Sequence, residues 1–583
     1  MSSQTGDCTA RSTASPSVTM TIVSLSDFSR PSHANRHLRV ICAGAGASGL
    51  YLAYRLKHYF TDFTLAIYEK NHDIGGTWLE NRYPGCACDV PAHNYTYSFE
   101  PKWDWSANYA SAPEIFKYFS DFADKYGLRD YIHCNHKVVH AAWDEAAAEW
   151  VVQVEADGSR SEHRCDFFVN AAGILNSWRW PAIPGLHSFK GTLLHSADWD
   201  KSIDLTGKHV GLIGNGIARV AKHVTTFIRE PTWVSTAHSG GELRQYTKEE
   251  QKQFQTEAGK LLAMRKKEEA EMTAVFPMFV RGSESQKLAV QHIAQTMRQQ
   301  INNDALADKL IPEFAMGCRR PTPGINYLES LTLENVTTVY GEITSVTPAG
   351  CVTEDGQEHP VDVLICATGF DTTFKPRFPV LGRSGDLAKQ WSTDPASYLG
   401  LAAHGFPNYF IFLGPNCPVG VGPVIIVIEA QGCYITELMN RWQKQDIHSY
   451  DPREEAVREF NEHKDAFMQH TVWTTNCLSW YKNPATGKVT ALWPGSTLHY
   501  LTALADQRYD DYEVKYNGNR FAYLGNGLAQ LELDPHADRA FYVRDYDDGV
   551  SVLPHTTLST FNVKDASQKF QVARGGMVRE HHI

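Results

Sequence analysis

Apolar positions along the 583-residue chain fall into short unbroken runs and longer helical stripes. The unbroken runs are Val40-Ile-Cys-Ala43, Leu65-Ala-Ile-Tyr68, Phe167-Phe-Val169, Val210-Gly-Leu-Ile213 and Val363-Leu-Ile-Cys366. Each gives way to glycine or small polar residues, the pattern of a strand buried on both faces and ending in a tight turn. Helical spacing follows in Leu50 to Leu56, in Ala112 to Tyr126 through Ile115, Phe119 and Phe122, and in Pro423 to Trp442. Lys248 to Asp308 is highly charged, contains Pro277 as its only proline, and predicts two or more surface helices. Val138 to Val154 alternates, which predicts a small β-meander, and Arg164 to Ala172 predicts a returning strand.

Two of the apolar runs open into glycine motifs. Val40 to Leu50 carries Gly44, Gly46 and Gly49 between a strand and a helix. The first glycine permits the turn, the second lets a pyrophosphate approach the backbone, and the third lets the helix lie close to the strand. Glu69 ends the next strand about 20 residues after the last glycine, where an acid binds a ribose hydroxyl. A second strand-and-glycine turn, Lys208 to Gly216, carries Gly214 and Gly216. The returning runs at Phe167–Gly173 and Val361–Asp371 both end in small-residue turns. The fold class predicted is α/β, with two Rossmann-like dinucleotide-binding domains plus helical segments. The chain leaves the first domain, builds the second as an insertion and returns. The expected boundaries are a disordered tail at 1–36, the first domain at 37–185, the inserted domain at 186–375 with its helical insertion, and a return with a C-terminal extension at 376–583.

Composition narrows the partners. A net charge of −11 argues against nucleic acid or an anionic membrane. No run approaches the 18 apolar residues of a spanning helix. The first 36 residues, rich in Ser and Thr with Pro16 and Pro31, lack the basic and apolar segments of a signal peptide. Twelve cysteines are scattered along the chain, several in apolar runs such as Cys42 and Cys366, which predicts buried thiols in a reducing, cytoplasmic setting. Cys86 and Cys88 lack a second Cys/His pair that would make a zinc site, so no metal is predicted.

Longer motifs carry a resemblance. Phe189-Lys-Gly-Thr-Leu-Leu-His-Ser-Ala-Asp-Trp-Asp200 resembles the F-x-G-x-x-x-H-x-x-x-W-[PD] fingerprint of type I Baeyer–Villiger monooxygenases. Gly76-Thr77-Trp78 followed by Tyr83-Pro-Gly85 and Asp89 resembles the second motif of that family, and Ala367 to Asp371 its returning strand. The likeness runs from about residue 38 to about 530. Phe227 to Trp233 and Ala491 to Ser496 are similar to the fungal secondary-metabolism branch. The resemblance implies FAD on the first motif and NADPH on the second. It implies reduction of the flavin, formation of a flavin C4a-peroxide with O₂, and attack on a ketone of a natural-product intermediate to give an ester or lactone. The catalytic arginine of the family falls on Arg320 and its acidic partner on Asp89. A guanidinium keeps its charge, which suits the stabilisation of an anionic oxygen. Trp78, Tyr95 and Val138 match positions lining FAD, and Arg229 matches the reader of the NADPH 2′-phosphate. Arg319 is expected to be solvated, His195 to serve conformation more than proton transfer, and Trp199 to pack. The substrate pocket is expected to draw on Glu242 to Pro277 and Val419 to Ile428.

The second glycine motif departs from the pattern. Arg219 stands at the third glycine position, and only about 10 residues separate Gly214 from the strand expected at Thr225 to Arg229. A parallel crossover takes a dozen or more. Two expectations follow: an NADPH-dependent monooxygenase with a shortened site, or, alternatively, an FAD-binding enzyme that has lost NADPH use. The latter would catalyse a redox-neutral rearrangement, cyclisation or dehydration.

Overall fold

In the computed structural model the described residues are 29–214, 221–235, 243–324 and 327–546. Two five-stranded parallel sheets organise them. Ten strands, in chain order, build the pair: β1 Leu38–Ala43, β2 Phe63–Tyr68, β3 Ile132–His133, β4 Phe167–Asn170, β5 Thr192–His195, β6 His209–Ile213, β7 His223–Ile228, β8 Val336–Tyr340, β9 Val363–Cys366 and β10 Tyr409–Ile411. The first sheet has the order β10-β4-β1-β2-β3 and the second β8-β7-β6-β9-β5. Each places its glycine-motif strand (β1 or β6) centrally, with the next strand on one side and the returning strand on the other. The chain leaves the first sheet after β4 and rejoins it at β10. Strands such as β1 and β4 are buried almost throughout, which is why their sequences run apolar without alternation.

Helix α1 (Ala47–Tyr59) links β1 to β2 across residues 44–62. The second connection, from β6 to β7, has nine residues, 214–222, because β7 begins at His223, two residues before the expected Thr225. Yet β6 and β7 pair in parallel, His209 opposite His223. A helix of nine residues at about 1.5 Å rise spans roughly 13 Å. Returning along a five-residue strand takes about 17 Å. The whole connection is thus shorter than α1 alone, which has thirteen residues. Gly216 and Arg219 lie outside the described residues.

The other expected helices form as α2 (Ala112–Lys125), α3 (Lys248–Thr256), α4 (Lys260–Thr273), α5 (Glu284–Ile301) and α6 (Val424–Lys444). Thr247 caps α3 with a reciprocal bond to Glu250. Pro423 stands just before α6, which is buried along most of its length against α1. The meander forms as antiparallel strands Lys137–Asp144, Glu149–Ala156 and Ser159–Cys165.

Two expectations are corrected. Of the predicted tail, residues 1–28 lie outside the described part, but 29–36 are packed. The Ser32 and His33 amides donate to Leu528 and Tyr523, and the Arg36 guanidinium lies 3.3 Å from the ring centre of Trp442. The cysteines are not all thiols: Cys318 and Cys477, 159 residues apart, form a disulfide, while among the described residues nine others are free, Cys42, Cys86, Cys88 and Cys366 included. Spacing offered no signal for that pair, because each half sits in a loop positioned by distant elements. Among the described residues no helix is long and apolar enough to cross a membrane.

Candidate active site

The β1 turn shows why glycine is required. Gly44 has φ +105°, and a Cβ there would stand 2.6 Å from the Ala171 carbonyl oxygen. A Cβ on Gly49 would stand 2.1 Å from the Gly44 oxygen, so any side chain would push α1 off the turn. Gly46 differs: its φ is ordinary, and a Cβ would meet only Gly76, at 3.7 Å. Gly46 and Gly76 stand face to face, and both border a cavity. Gly214 repeats Gly44, with φ +110° and a Cβ position 2.7 Å from the Ala367 oxygen. The first glycine of each motif thus lies against its own returning strand.

A cavity of about 480 Å³ opens at the β1 turn. Gly44, Gly46, Glu69, Gly76, Thr77, Trp78, Asp89, Tyr95, Val138 and Arg320 all line it, brought together from well separated parts of the chain. Gly49 works from behind the turn, and Gly214 and Arg229 belong to the second sheet, outside the lining. From the expected substrate segments, Val419, Gly422, Val424 and Ile428 reach the cavity; nothing between Glu242 and Pro277 does. That stretch acts indirectly. Arg265 of α4 donates to the carbonyls of His93, Tyr97 and Ser98 and to the Thr96 hydroxyl, clamping the loop that carries Tyr95.

Glu69 is buried, and both carboxylate oxygens are engaged: Oε2 accepts from the Ala45 amide at 2.8 Å, Oε1 from the amide and side chain of Asn71. It ties the glycine turn to the end of β2 while facing the cavity. Burial pushes its carboxyl upward, and these backbone donors oppose that push. Trp78 Nε1 donates to the Tyr95 hydroxyl at 3.3 Å, fixing two aromatic walls at right angles.

Arg320 Nε and Nη2 both donate to Asp89 Oδ2, at 2.8 and 2.5 Å. The guanidinium is a third exposed and that exposure meets the cavity. The Asp89 charge holds it protonated above the ordinary arginine range. Buried Tyr481 also interacts with the Arg320 guanidinium, a neighbour the sequence gives no sign of. The same holds for Lys137, Arg377 and Trp480, which line the cavity from loops and strand ends without motif spacing. Arg319 corrects an expectation. It is mostly buried, pairs with Glu230 at 3.2 Å, donates to the Pro231 carbonyl and stacks over Phe314. Arg229, exposed just past β7, is close enough to depress its proton affinity further, burial being the larger cause.

His195 is buried, stacked 4.4 Å from Trp178, and accepts at Nδ1 from the Ala197 amide. The remaining proton therefore sits on Nε2, which donates to the Thr368 hydroxyl at 3.2 Å. Burial lowers its pKa, so the ring is a neutral joint between β5 and the turn after β9. Trp199 packs beside the second sheet.

Comparison with known proteins decides the family. A family model for an NAD(P)-binding Rossmann-like domain matches residues 42–110. The FAD-binding monooxygenase tazF of Aspergillus terreus is 40% identical over 88% of this chain and 96% of its own length. A Baeyer–Villiger monooxygenase of Pseudomonas aeruginosa is 32% identical over 80% and 89%. The chain belongs to the Baeyer–Villiger family of FAD-binding monooxygenases. A solved member, cyclohexanone monooxygenase from Rhodococcus sp. Phi1 bound to NADP⁺, superposes with a TM-score of 0.72 at 27% identity, covering 84% of this chain and 100% of that one. The protein is thus an oxidoreductase with FAD as its family cofactor, and the residues present fit that group. Gly44, Gly46 and Gly76 leave bare backbone where a diphosphate must approach, the N-terminus of α1 faces it, and Trp78 and Tyr95 supply flat apolar walls.

Proposed function

We propose that this Baeyer–Villiger monooxygenase uses FAD and NADPH to insert one oxygen atom beside the carbonyl of a ketone in a natural-product intermediate. The observation that carries it is the Arg320–Asp89 pair, aimed into the same cavity as the glycine cradle. Relatives named FAD-binding monooxygenases, such as stcW of Emericella nidulans at 37% identity, support the setting. Bound FAD supplies the electron and oxygen chemistry. Arg320 supplies a cation that cannot give up its proton and so stabilises negative charge on oxygen. Asp89 fixes the guanidinium in position, Trp78 and Tyr95 exclude water, and Val419, Val424 and Ile428 offer an apolar wall to the ketone. The nine cysteines that are free among the described residues support a reducing, cytoplasmic setting.

NADPH binding rests on charge more than on a helix N-terminus, since the β6–β7 connection is short. Arg229, exposed just beyond β7, provides the cation for a phosphate, while Arg319 is taken up by Glu230 and the Pro231 carbonyl. The same reading assigns the FAD-binding domain to 37–185 and to the start of 376–583, around an NADP-type domain at 186–375; the strands of each sheet fall within those limits.

The short connection favours a second reading, in which NADPH use is lost and the product forms without net redox change. Turnover of a panel of cyclic and polyketide-derived ketones under ¹⁸O₂ separates them. The first predicts a product heavier by one labelled oxygen; the second predicts the substrate's formula, or that formula less water, with or without NADPH.

A further inference from the structure

Arg320 and the two residues before it tie this segment to three parts of the molecule. Arg320 itself holds Asp89 of the first glycine-rich loop, and Arg319 holds Glu230 past β7. Cys318 is bonded to Cys477, three residues before the cavity residue Trp480 and four before Tyr481, which touches Arg320. Arg319 also reaches the Leu478 carbonyl. The bridge therefore closes the loop that carries two neighbours of the arginine onto the segment that carries the arginine.

The chemistry around this pair differs from that of the other cysteines. Cys42, Cys88, Cys165 and Cys417 are fully buried, and burial raises their thiols well above the ordinary range, which leaves them inert. Cys318 is also buried, but its partner Cys477 is half-buried and open to a small reagent. Lys482 places its ammonium 3.8 Å from the Cys318 sulfur and 3.7 Å from the Cys477 sulfur while donating to the Thr475 carbonyl. A cation beside both sulfurs favours the thiolate and speeds its departure.

We propose that Cys318 and Cys477 form a reversible dithiol–disulfide site whose oxidised state holds Arg320 firmly at the cavity. In the reducing direction a thiolate of a small dithiol attacks the accessible Cys477 sulfur. The S–S bond breaks, Cys318 leaves as a thiolate beside Lys482, and the second thiol of the reductant resolves the mixed disulfide. The reductant loses two electrons and two protons, and the cysteines gain them. In the oxidising direction a thiolate attacks hydrogen peroxide to give a sulfenic acid. The second thiolate displaces its hydroxyl as water, so that two thiols and one peroxide yield the disulfide and two waters. Peroxide is what a flavin monooxygenase releases when NADPH oxidation fails to meet substrate, so the site senses the enzyme's own misfiring and tightens in response. Gly317, Val472 and Trp473 pack around Phe279, a contact between the two segments that does not depend on the bridge itself.

This inference rests on the monooxygenase reading for its consequence, though not for its chemistry. Full-length FAD-loaded protein is treated with dithiothreitol, then with hydrogen peroxide. At each stage alkylated peptides are weighed, tryptic cleavage after Arg319 is timed, and peroxide release per NADPH is measured. Dithiothreitol should free both cysteines, speed the cleavage several-fold and raise peroxide release several-fold, and peroxide should reverse all three. Cys318→Ser and Cys477→Ser should behave as the reduced protein and ignore dithiothreitol, whereas Cys134→Ser should respond like wild type. Free thiols at both positions that peroxide cannot close would overturn the proposal. So would equal cleavage and equal peroxide release in the two states. A bridge that opens and closes, with changed cleavage but no NADPH oxidation in either state, would sink the monooxygenase reading and leave the thiol site standing.

Discussion

At the scale of single residues, the two glycines Gly44 and Gly46 separate stability from cofactor binding. Gly44→Ala puts a Cβ in a left-handed backbone and 2.6 Å from a carbonyl oxygen, so the unfolding midpoint should fall by an amount matching about 2–4 kcal/mol. Gly46→Val meets no such clash and should fold with near-normal stability but purify without flavin, as absorbance and thermal unfolding together will show. Arg320→Ala should keep FAD and lose product formation by roughly 10²–10³-fold, the scale of removing a fixed charge from a developing anion. Full turnover in that variant would remove the role assigned to the guanidinium. Both Arg320 and Asp89 were legible in the sequence because each sits in a motif. Tyr481 and the true environment of Arg319 were not. Glu230 lies 89 residues before Arg319, and Tyr481 is far along the chain from Arg320, so no local spacing could encode these contacts.

At the scale of elements, the β6–β7 connection is where the sequence reading and the structure meet most closely. Counting residues between Gly214 and the next apolar run already implied a missing helix, and the parallel register of His209 with His223 makes the shortage physical. In the proposed NADPH site the exposed cation at Arg229 carries the phosphate contact. Arg229→Ala should raise the Kd for NADPH by about 10–100-fold, the range for losing a hydrogen bond to a charged group, and leave NADH binding unchanged. The helical insertion reads differently. Its charge predicted surface helices, which formed, but its inward residues were invisible to composition. Glu268 on α4 has its carboxyl pushed up to about 7, by burial first and by Glu271 second, and one oxygen has no partner. A carboxyl raised in the folded state favours folding when protonated, so its stabilising effect holds below the unfolded value near 4.5 and is lost as pH rises through 7. Glu268→Gln should therefore gain on wild type at pH 8, by about 1 kcal/mol after discounting for its partial exposure, and gain nothing at pH 4. Denaturant melts at the two pH values check this.

At the scale of the whole molecule, the plan of one domain inserted in another was legible and loop assembly was not. Unbroken apolar runs ending in small-residue turns revealed two strand-and-turn units and an excursion between them, because burial on both faces marks central strands such as β1 and β4, whereas β3 and β8 are only partly buried and left no such run. The cavity draws on seven stretches of chain, and its walls from 370–378 and 413–480 carry no periodic pattern, so only the fold could bring them to Arg320. The Cys318–Cys477 bridge is hidden for the same reason. What the assembled molecule must do first is pass electrons from NADPH to its flavin despite the short connection in the second sheet. Mixing the oxidised holoenzyme with NADPH in the absence of oxygen measures that step without knowledge of the substrate. The account predicts rapid bleaching of the yellow flavin absorbance, and persistence of the oxidised spectrum at saturating NADPH, with or without added ketones, would contradict it.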